Sequence, residues 1–255
     1  MTVQAVPEGE LMLEGRILPA SNATFYGRIG DTAVVYKPVA GERPLWDFPG
    51  AVLAQREVAT YLVSEATGWN LVPPTWLGAG PHGTGMLQVW KEIDPEQDPV
   101  TIVPADQVPE HGWKHVLDGV DAEEKPVSVL HEDSPTLRRM AVLDVLVNNA
   151  DRKGGHVLAM PDGHRFGVDH GLTFHVEPKL RTVLWGWVGE PLTDDELAGV
   201  RQVREALGGE LGTQLTDLLE MPELGALHAR VDRLLAEGVF PAPEGDMPPV
   251  PWPPF

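Results

Sequence analysis

The stretch from Leu143 to Gly171, LDVLVNNADRKGGHVLAMPDGHRFGVDHG, constrains the fold more than any other part of this chain. Just before it, Ser134-Pro135 offers an N-cap followed by a proline at the first helical position, so LRRMAVLDVLVNN reads as a helix running to about Asn149. Within it, the pair Asp162–Gly163 between HVLAM and RFGVD is a hairpin signal. A two-residue turn there makes cross-strand partners sum to 325, which sets His156 directly opposite Asp169. Asp151 enters the same end of the ribbon five residues before His156. Gly154, Gly155 and Gly171 leave room there for backbone or ligand to approach. A helix, a loop and a hairpin are thus expected to deliver one imidazole and two carboxylates to one edge.

The front of the chain supplies a second ribbon. TFYGRIGDTAVVYK, from Thr24 to Lys37, turns at Gly30–Asp31, so partners sum to 61 and Lys37 lies opposite Thr24, beside the small-residue loop Pro19 to Ala23. Val52 to Ala66 carries Leu53, Val58, Leu62 and Ala66 at helical spacing, includes Glu57, and stops at Gly68. LVPPTWLGAG reads as a strand interrupted by prolines and GMLQVWKEI as a second apolar strand. Residues 94 to 133 are acidic and turn-rich, and are expected to be irregular with at most one helix. Thr193 and Glu196 form a capping box, and a leucine stripe from Leu224 to Leu235 marks a last helix ending at Gly238. The tail PAPEGDMPPVPWPPF reads as polyproline-like or disordered, a segment that a proline-recognising protein partner would fit.

The expected architecture is a bilobal α+β fold: a β-rich N-lobe over 1–93, a mainly helical C-lobe over 94–240, and a Pro-rich tail over 241–255. A cation bound to phosphates needs a carboxylate to hold it. Transfer of a phosphoryl group further needs a base or orienting carboxylate, a lysine on the phosphates and an acid to position that lysine. Asp169, Asp151, Lys37 and Glu57 are of the right types. Histidines elsewhere do not make a zinc site: His111 and His115 do not complete H-E-x-x-H, and His164 sits at the far end of the hairpin from His170.

LDVLVNNADRKGGHVL followed by FGVDHGLTF resembles the catalytic and metal-binding segments of the phosphatidylinositol 3/4-kinase superfamily, especially its type II 4-kinase and HipA-like branch of atypical kinases. The resemblance implies an atypical protein-kinase-like fold with ATP between the lobes. Asp151 looks like the catalytic Asp, Asp169 looks like the metal Asp, and His156 stands where that family has a metal-binding Asn. VVYKP resembles the nucleotide-lysine strand, with Lys37, and REVATYLV the helix whose acid, Glu57, pairs with it. PASNAT, with Ser21 and Asn22, takes the place of the phosphate-covering loop. MLQVW resembles the adenine hinge, with backbone groups of Gln88, Val89 and Trp90. The metal is then Mg2+ or Mn2+, and His in place of Asn favours manganese. There is no G-x-G-x-x-G and no H-R-D, which excludes an ordinary protein kinase.

Charge restricts the partners. With 19 Lys and Arg against 38 Asp and Glu the formal charge is −19, so nucleic acid and anionic membrane are disfavoured, and a phosphoinositide acceptor with them. The chain lacks cysteine, has no apolar run of membrane-spanning length and begins with a polar, acidic segment; the expectation is a cytoplasmic protein. The expected activity is phosphoryl transfer from ATP to an unidentified acceptor, a protein or soluble small-molecule hydroxyl. The alternatives are a nucleotide-binding pseudokinase with a regulatory role, argued from His156, and nucleotidyl transfer by the same site.

Overall fold

The computed structural model describes residues 6–18, 22–48, 50, 52–245 and 247–255. Its first third is a five-stranded antiparallel sheet crossed by one helix. The elements are β1 (Leu11–Arg16), β2 (Phe25–Ile29), β3 (Thr32–Pro38), α1 (Leu53–Thr67), β4 (Thr75–Gly80) and β5 (Gly83–Val89), with strand order β1-β2-β3-β5-β4. Pairs such as Phe25↔Tyr36 and Ile29↔Thr32 sum to 61, the register expected from a turn at Gly30–Asp31. The prolines at 73 and 74 precede β4 rather than interrupt it, as their missing N–H groups require.

Strand periodicity then assigns the faces. Val34 and Tyr36 of β3 point into a core with Leu11, Ile29 and Leu87. Lys37 belongs to the opposite face, paired with Met86, which is buried against Ala54 and Val58 of α1. The lysine is therefore aimed at the helix by the alternation of β3 alone. The N-terminus of α1 is capped from a distance: both Glu42 carboxylate oxygens accept, from Leu53 N at 2.9 Å and Ala54 N at 2.8 Å.

Residues 94 to 133 are the first correction. They hold a three-stranded sheet, β6 (Val100–Pro104), β7 (Trp113–Val120) and β8 (Pro126–Glu132), in the order β6-β8-β7, and no helix among the described residues. Only the central strand β8 is well buried, through Ser128 to His131; the flanking strands are half-exposed and their alternation is diluted by acidic loops.

After α2 (Pro135–Val147) come β9 (Val157–Ala159) and β10 (Arg165–Gly167), and here the register is corrected. The pairs Arg165↔Ala159 and Gly167↔Val157 sum to 324, not 325. The loop has three residues, Pro161 to Gly163, with Gly163 at φ 86°, and Met160 N donates to His164 O at 2.9 Å. A turn residue in the left-handed region followed by a bulge absorbs the extra position. His156 consequently pairs with Val168, whose N donates to the His156 carbonyl at 3.0 Å.

The remainder is helical: α3 (Asp194–Leu207) with the Thr193–Glu196 capping box, the short and unforeseen α4 (Glu210–Thr216), and α5 (Met221–Glu237), which ends at Gly238 with φ 64°. The largest core joins Ala59 and Val63 of α1 to Leu143 and Leu146 of α2, Val200 and Val203 of α3, and Leu227 and Val231 of α5. Each Val or Leu among them contributes roughly 1.5–3 kcal/mol on burial. Arg56 of α1 donates to the Thr173 carbonyl and pairs with Glu223 of α5, so α1 is bound to both halves. The fold is α+β and bilobal, β-rich in its N-terminal part and mainly helical in its C-terminal part. No helix of the described residues is long and apolar enough to cross a membrane.

Candidate active site

Lys37, Glu57 and Asp169 meet at the C-terminal end of β3, the central strand of the sheet, on the face turned toward α1. The Lys37 ammonium donates to Glu57 Oε1 at 2.6 Å and to Asp169 Oδ1 at 2.7 Å. Glu57 is almost wholly buried, and its second oxygen accepts from His170 N at 3.3 Å. Burial would favour the neutral amine of Lys37, but the Asp169 and Glu57 carboxylates outweigh it and hold its pKa above the usual lysine value. Asp169 is held below the usual carboxylate range, chiefly by that ammonium. Burial moves Glu57 the other way, upward, against the attraction of Lys37.

The one-residue change in hairpin register does not separate His156 from Asp169. Asp169 lies just beyond the paired strand with φ 61°, an uncommon conformation for a residue with a side chain, and the kink brings its Oδ2 to 3.4 Å from His156 Nε2. The other ring nitrogen of His156, Nδ1, lies 2.9 Å from the Asp151 carbonyl oxygen and donates to it, which leaves Nε2 as a free lone pair toward Asp169 in the neutral ring. Burial lowers the His156 pKa and favours that neutral form.

Asp151 stands on the far side of His156, whose ring bonds its carbonyl. Its N–H donates to Asn149 Oδ1 at 3.0 Å, and its carboxylate lies 3.8 Å from Lys153 Nζ. Burial pushes its pKa up to about 6, against the pull of Lys153. Behind it lies a network that residue spacing did not reveal. Arg152 is fully buried and bonds Asp144 of α2 at 2.8 Å, His170 Nε2 at 2.6 Å and the carbonyls of His156 and Val168. One guanidinium thus ties α2 and the hairpin to the Asp151 loop. The signal available was Asp144 itself, a lone carboxylate inside the apolar run VLDVLV.

The remaining sequence candidates stand differently. Ser21 lies outside the described residues. Asn22 spends its side-chain oxygen on Arg43 N at 3.0 Å, bracing the loop. Gln88 is buried, with Nε2 on Thr75 Oγ1 at 2.8 Å. Val89 N and Trp90 N donate within the sheet, to Pro74 O and Ala33 O, both at 2.9 Å, so these two amides are not free for a ligand. The amides of Lys91, Glu92 and Ile93 donate to no backbone carbonyl among the described residues.

No group of three or more His, Asp or Glu side chains that could hold a metal occurs among the described residues. Asp169 and His156 nevertheless fit a divalent ion that keeps water and phosphate oxygens as its other ligands, and the imidazole fits manganese better than magnesium. Chemically the site offers an ammonium held between two carboxylates, a carboxylate–imidazole pair, and a carboxyl whose pKa burial raises to about 6.

The fold and site define an α+β protein with a lysine–carboxylate cluster on the face of its sheet turned toward α1. The chain is 50% identical over 261 residues to protein Rv2133c of Mycobacterium tuberculosis (strain ATCC 25618 / H37Rv), covering 97% of this chain and 93% of that protein. It belongs to the family of that protein. No family model matches the sequence. Among solved structures it is similar to the Helicobacter pylori proinflammatory kinase CtkA, with 11% identity, a TM-score of 0.45 and coverage of 91% of this chain and 93% of that one, a likeness too slight to assign a function.

Proposed function

We propose that this chain is an ATP-dependent phosphotransferase of atypical-kinase type, acting on a protein or soluble small-molecule hydroxyl. The observation that carries this reading is the convergence of Lys37, Glu57 and Asp169 from β3, α1 and the end of the hairpin, within hydrogen-bond distance of one another. Lys37 binds the phosphates and Glu57 keeps it oriented. Asp169 and His156 would hold Mg2+ or Mn2+, which when bound would draw charge from the phosphates. Asp151 accepts the proton of the acceptor hydroxyl as its oxygen bonds to the γ-phosphorus and the bond to the bridging oxygen of ADP breaks. The adenine edge meets the amides of Lys91 to Ile93, which donate to no backbone carbonyl among the described residues, rather than those of Val89 and Trp90. The division at residues 93 and 240 and a cytoplasmic setting belong to the same reading.

The test is intact mass after incubation with ATP and either metal, with ADP measured in parallel. A gain of one phosphate, or ADP release, that is lost in Asp151→Ala supports transfer; no ATP-induced thermal stabilisation in the unmodified protein sinks it. A second reading, a nucleotide-binding pseudokinase, is favoured by one contact: Asp169 is already neutralised by Lys37 and faced by His156, so an ion must displace the lysine. Stabilisation by ATP with no product under either metal would select it.

A further inference from the structure

Residues 247–255 run back along the loop that carries Asp151 rather than away from it. The Pro249 carbonyl accepts from Thr182 N at 3.0 Å and from Trp185 Nε1 at 2.7 Å. The Pro254 carbonyl accepts from Gly154 N at 2.8 Å, and Pro251 and Pro254 are buried. Gly154 is covered by the Phe255 ring so closely that a Cβ there would collide with it. Thr182 is tied in turn to the residue after Asp151: Arg152 N donates to Arg181 O, and Val183 N to Arg152 O, each at 3.1 Å.

The chemistry of the segment explains why it fits. A proline run presents carbonyl acceptors and few amide donors, in a stiff extended form that costs little entropy to dock. What it meets are donors: the amides of Gly154 and Thr182 and the Trp185 indole. These bonds hold the chain just after Asp151 at two points, Gly154 directly and Arg152 through its bonds to the residues on either side of Thr182. Among the described residues no hydrogen bond runs from the tail to the side chains of Lys37, Asp151, His156 or Asp169.

We propose that this Pro-rich segment is a positioning element for the Asp151 loop: Pro254 and Phe255 lock Gly154 and so fix the offset between Asp151 and His156. The proposal rests on the reading of residues 151–156 as the catalytic loop. It braces that loop from outside instead of filling the cleft, so its loss lowers turnover rather than raising it.

The experiment compares the full chain with Phe255→Ala, Gly154→Ala and the double variant, by amide hydrogen exchange and by ADP release from ATP with Mn2+. In Phe255→Ala, exchange at Gly154 accelerates by about tenfold or more, the equivalent of roughly 1.4 kcal/mol of local opening. Its kcat falls by about threefold to tenfold while KM for ATP stays within about twofold, because Lys37 and Glu57 are untouched. Gly154→Ala costs less in the Phe255→Ala background than alone, since the ring it displaces is gone. Unchanged exchange at Gly154, or a kcat that holds or rises, overturns the proposal. If the unmodified protein releases no ADP with either metal, the phosphotransferase reading fails; exchange at Gly154 then decides alone whether the brace exists.

Discussion

Lys37 Nζ lies 2.7 Å from Asp169 Oδ1, although 132 positions separate the two residues in sequence. The contact crosses from the N-terminal sheet to the hairpin of the C-terminal half, and it is made while the same ammonium holds Glu57. Lysine is thus the shared counter-ion of two carboxylates, one nearly inaccessible and one half-exposed. Removing it should have two separable effects. Lys37→Ala leaves Glu57 buried without a partner and should cost about 2 kcal/mol, below the usual penalty for a broken buried pair because Lys37 is itself partly accessible. Lys37→Ala with Glu57→Gln should recover most of that in thermal melts but none of the ATP-induced stabilisation. Recovery of both would remove Lys37 from nucleotide binding.

On the proposed reading, a divalent ion at Asp169 would have to compete with Lys37 and would take an imidazole rather than an amide as its neighbouring ligand. Stabilisation by ATP is therefore expected to depend steeply on metal and to be larger with manganese. His156→Asn, which exchanges a nitrogen for an oxygen ligand, should move the preference toward magnesium by about tenfold in apparent affinity. Equal preference in both proteins, read from ATP titrations at fixed metal, would take His156 out of the metal shell.

The site was partly legible because two of its determinants are local. A two-residue turn at Gly30–Asp31 sets the face of Lys37, and one turn of helix after Leu53 sets Glu57; neither needs tertiary information. The hairpin at Asp162–Gly163 was less so. The same dipeptide serves two- and three-residue loops and Gly163 takes a positive φ in both; what distinguishes them is Asp162, which a two-residue type I′ turn would hold at positive φ and which is not so held here, so the partners sum to 324. His156 and Asp169 still meet because Asp169 adopts φ 61°, which no pattern of side chains announces. The Arg152–Asp144–His170 cluster stayed hidden for a different reason: its members are ordinary polar residues until packing buries all three. The sheet over 100–132 was obscured because two of its strands keep a half-exposed, charged face.

Asp151 provides a pH test. Burial raises its carboxyl to about 6, and the base role proposed for it would require the ionised form. The rate should be level above about pH 7, halve near 6 and then fall about tenfold per unit below it. Asp151→Asn should be slow and lack that limb. A limb near pH 4, at the ordinary carboxylate value, would mean that Asp151 is open to water during turnover.

His131 offers a stability test away from the site. Its ring is inaccessible, with Nδ1 donating to the Glu132 carbonyl at 2.9 Å and Nε2 accepting from Gly186 N at 3.1 Å, an arrangement only the neutral ring can make. Burial lowers its pKa from 6.5 to about 4. Between these values the unfolded chain binds a proton that the folded chain refuses, so unfolding is favoured as pH falls. The contribution is intact above about pH 6.5, declines through pH 5, where the loss is about 2 kcal/mol, and levels off near pH 4 at about 3 kcal/mol. His131→Gln keeps a donor and an acceptor without a titrating ring. It should be less stable than the unmodified protein at pH 7, because it loses the stacking on Trp187, whose ring centroid lies 4.3 Å away, yet show a shallower fall in denaturation midpoint between pH 7 and 4.5. Parallel pH profiles for the two proteins would mean that His131 takes up its proton without unfolding.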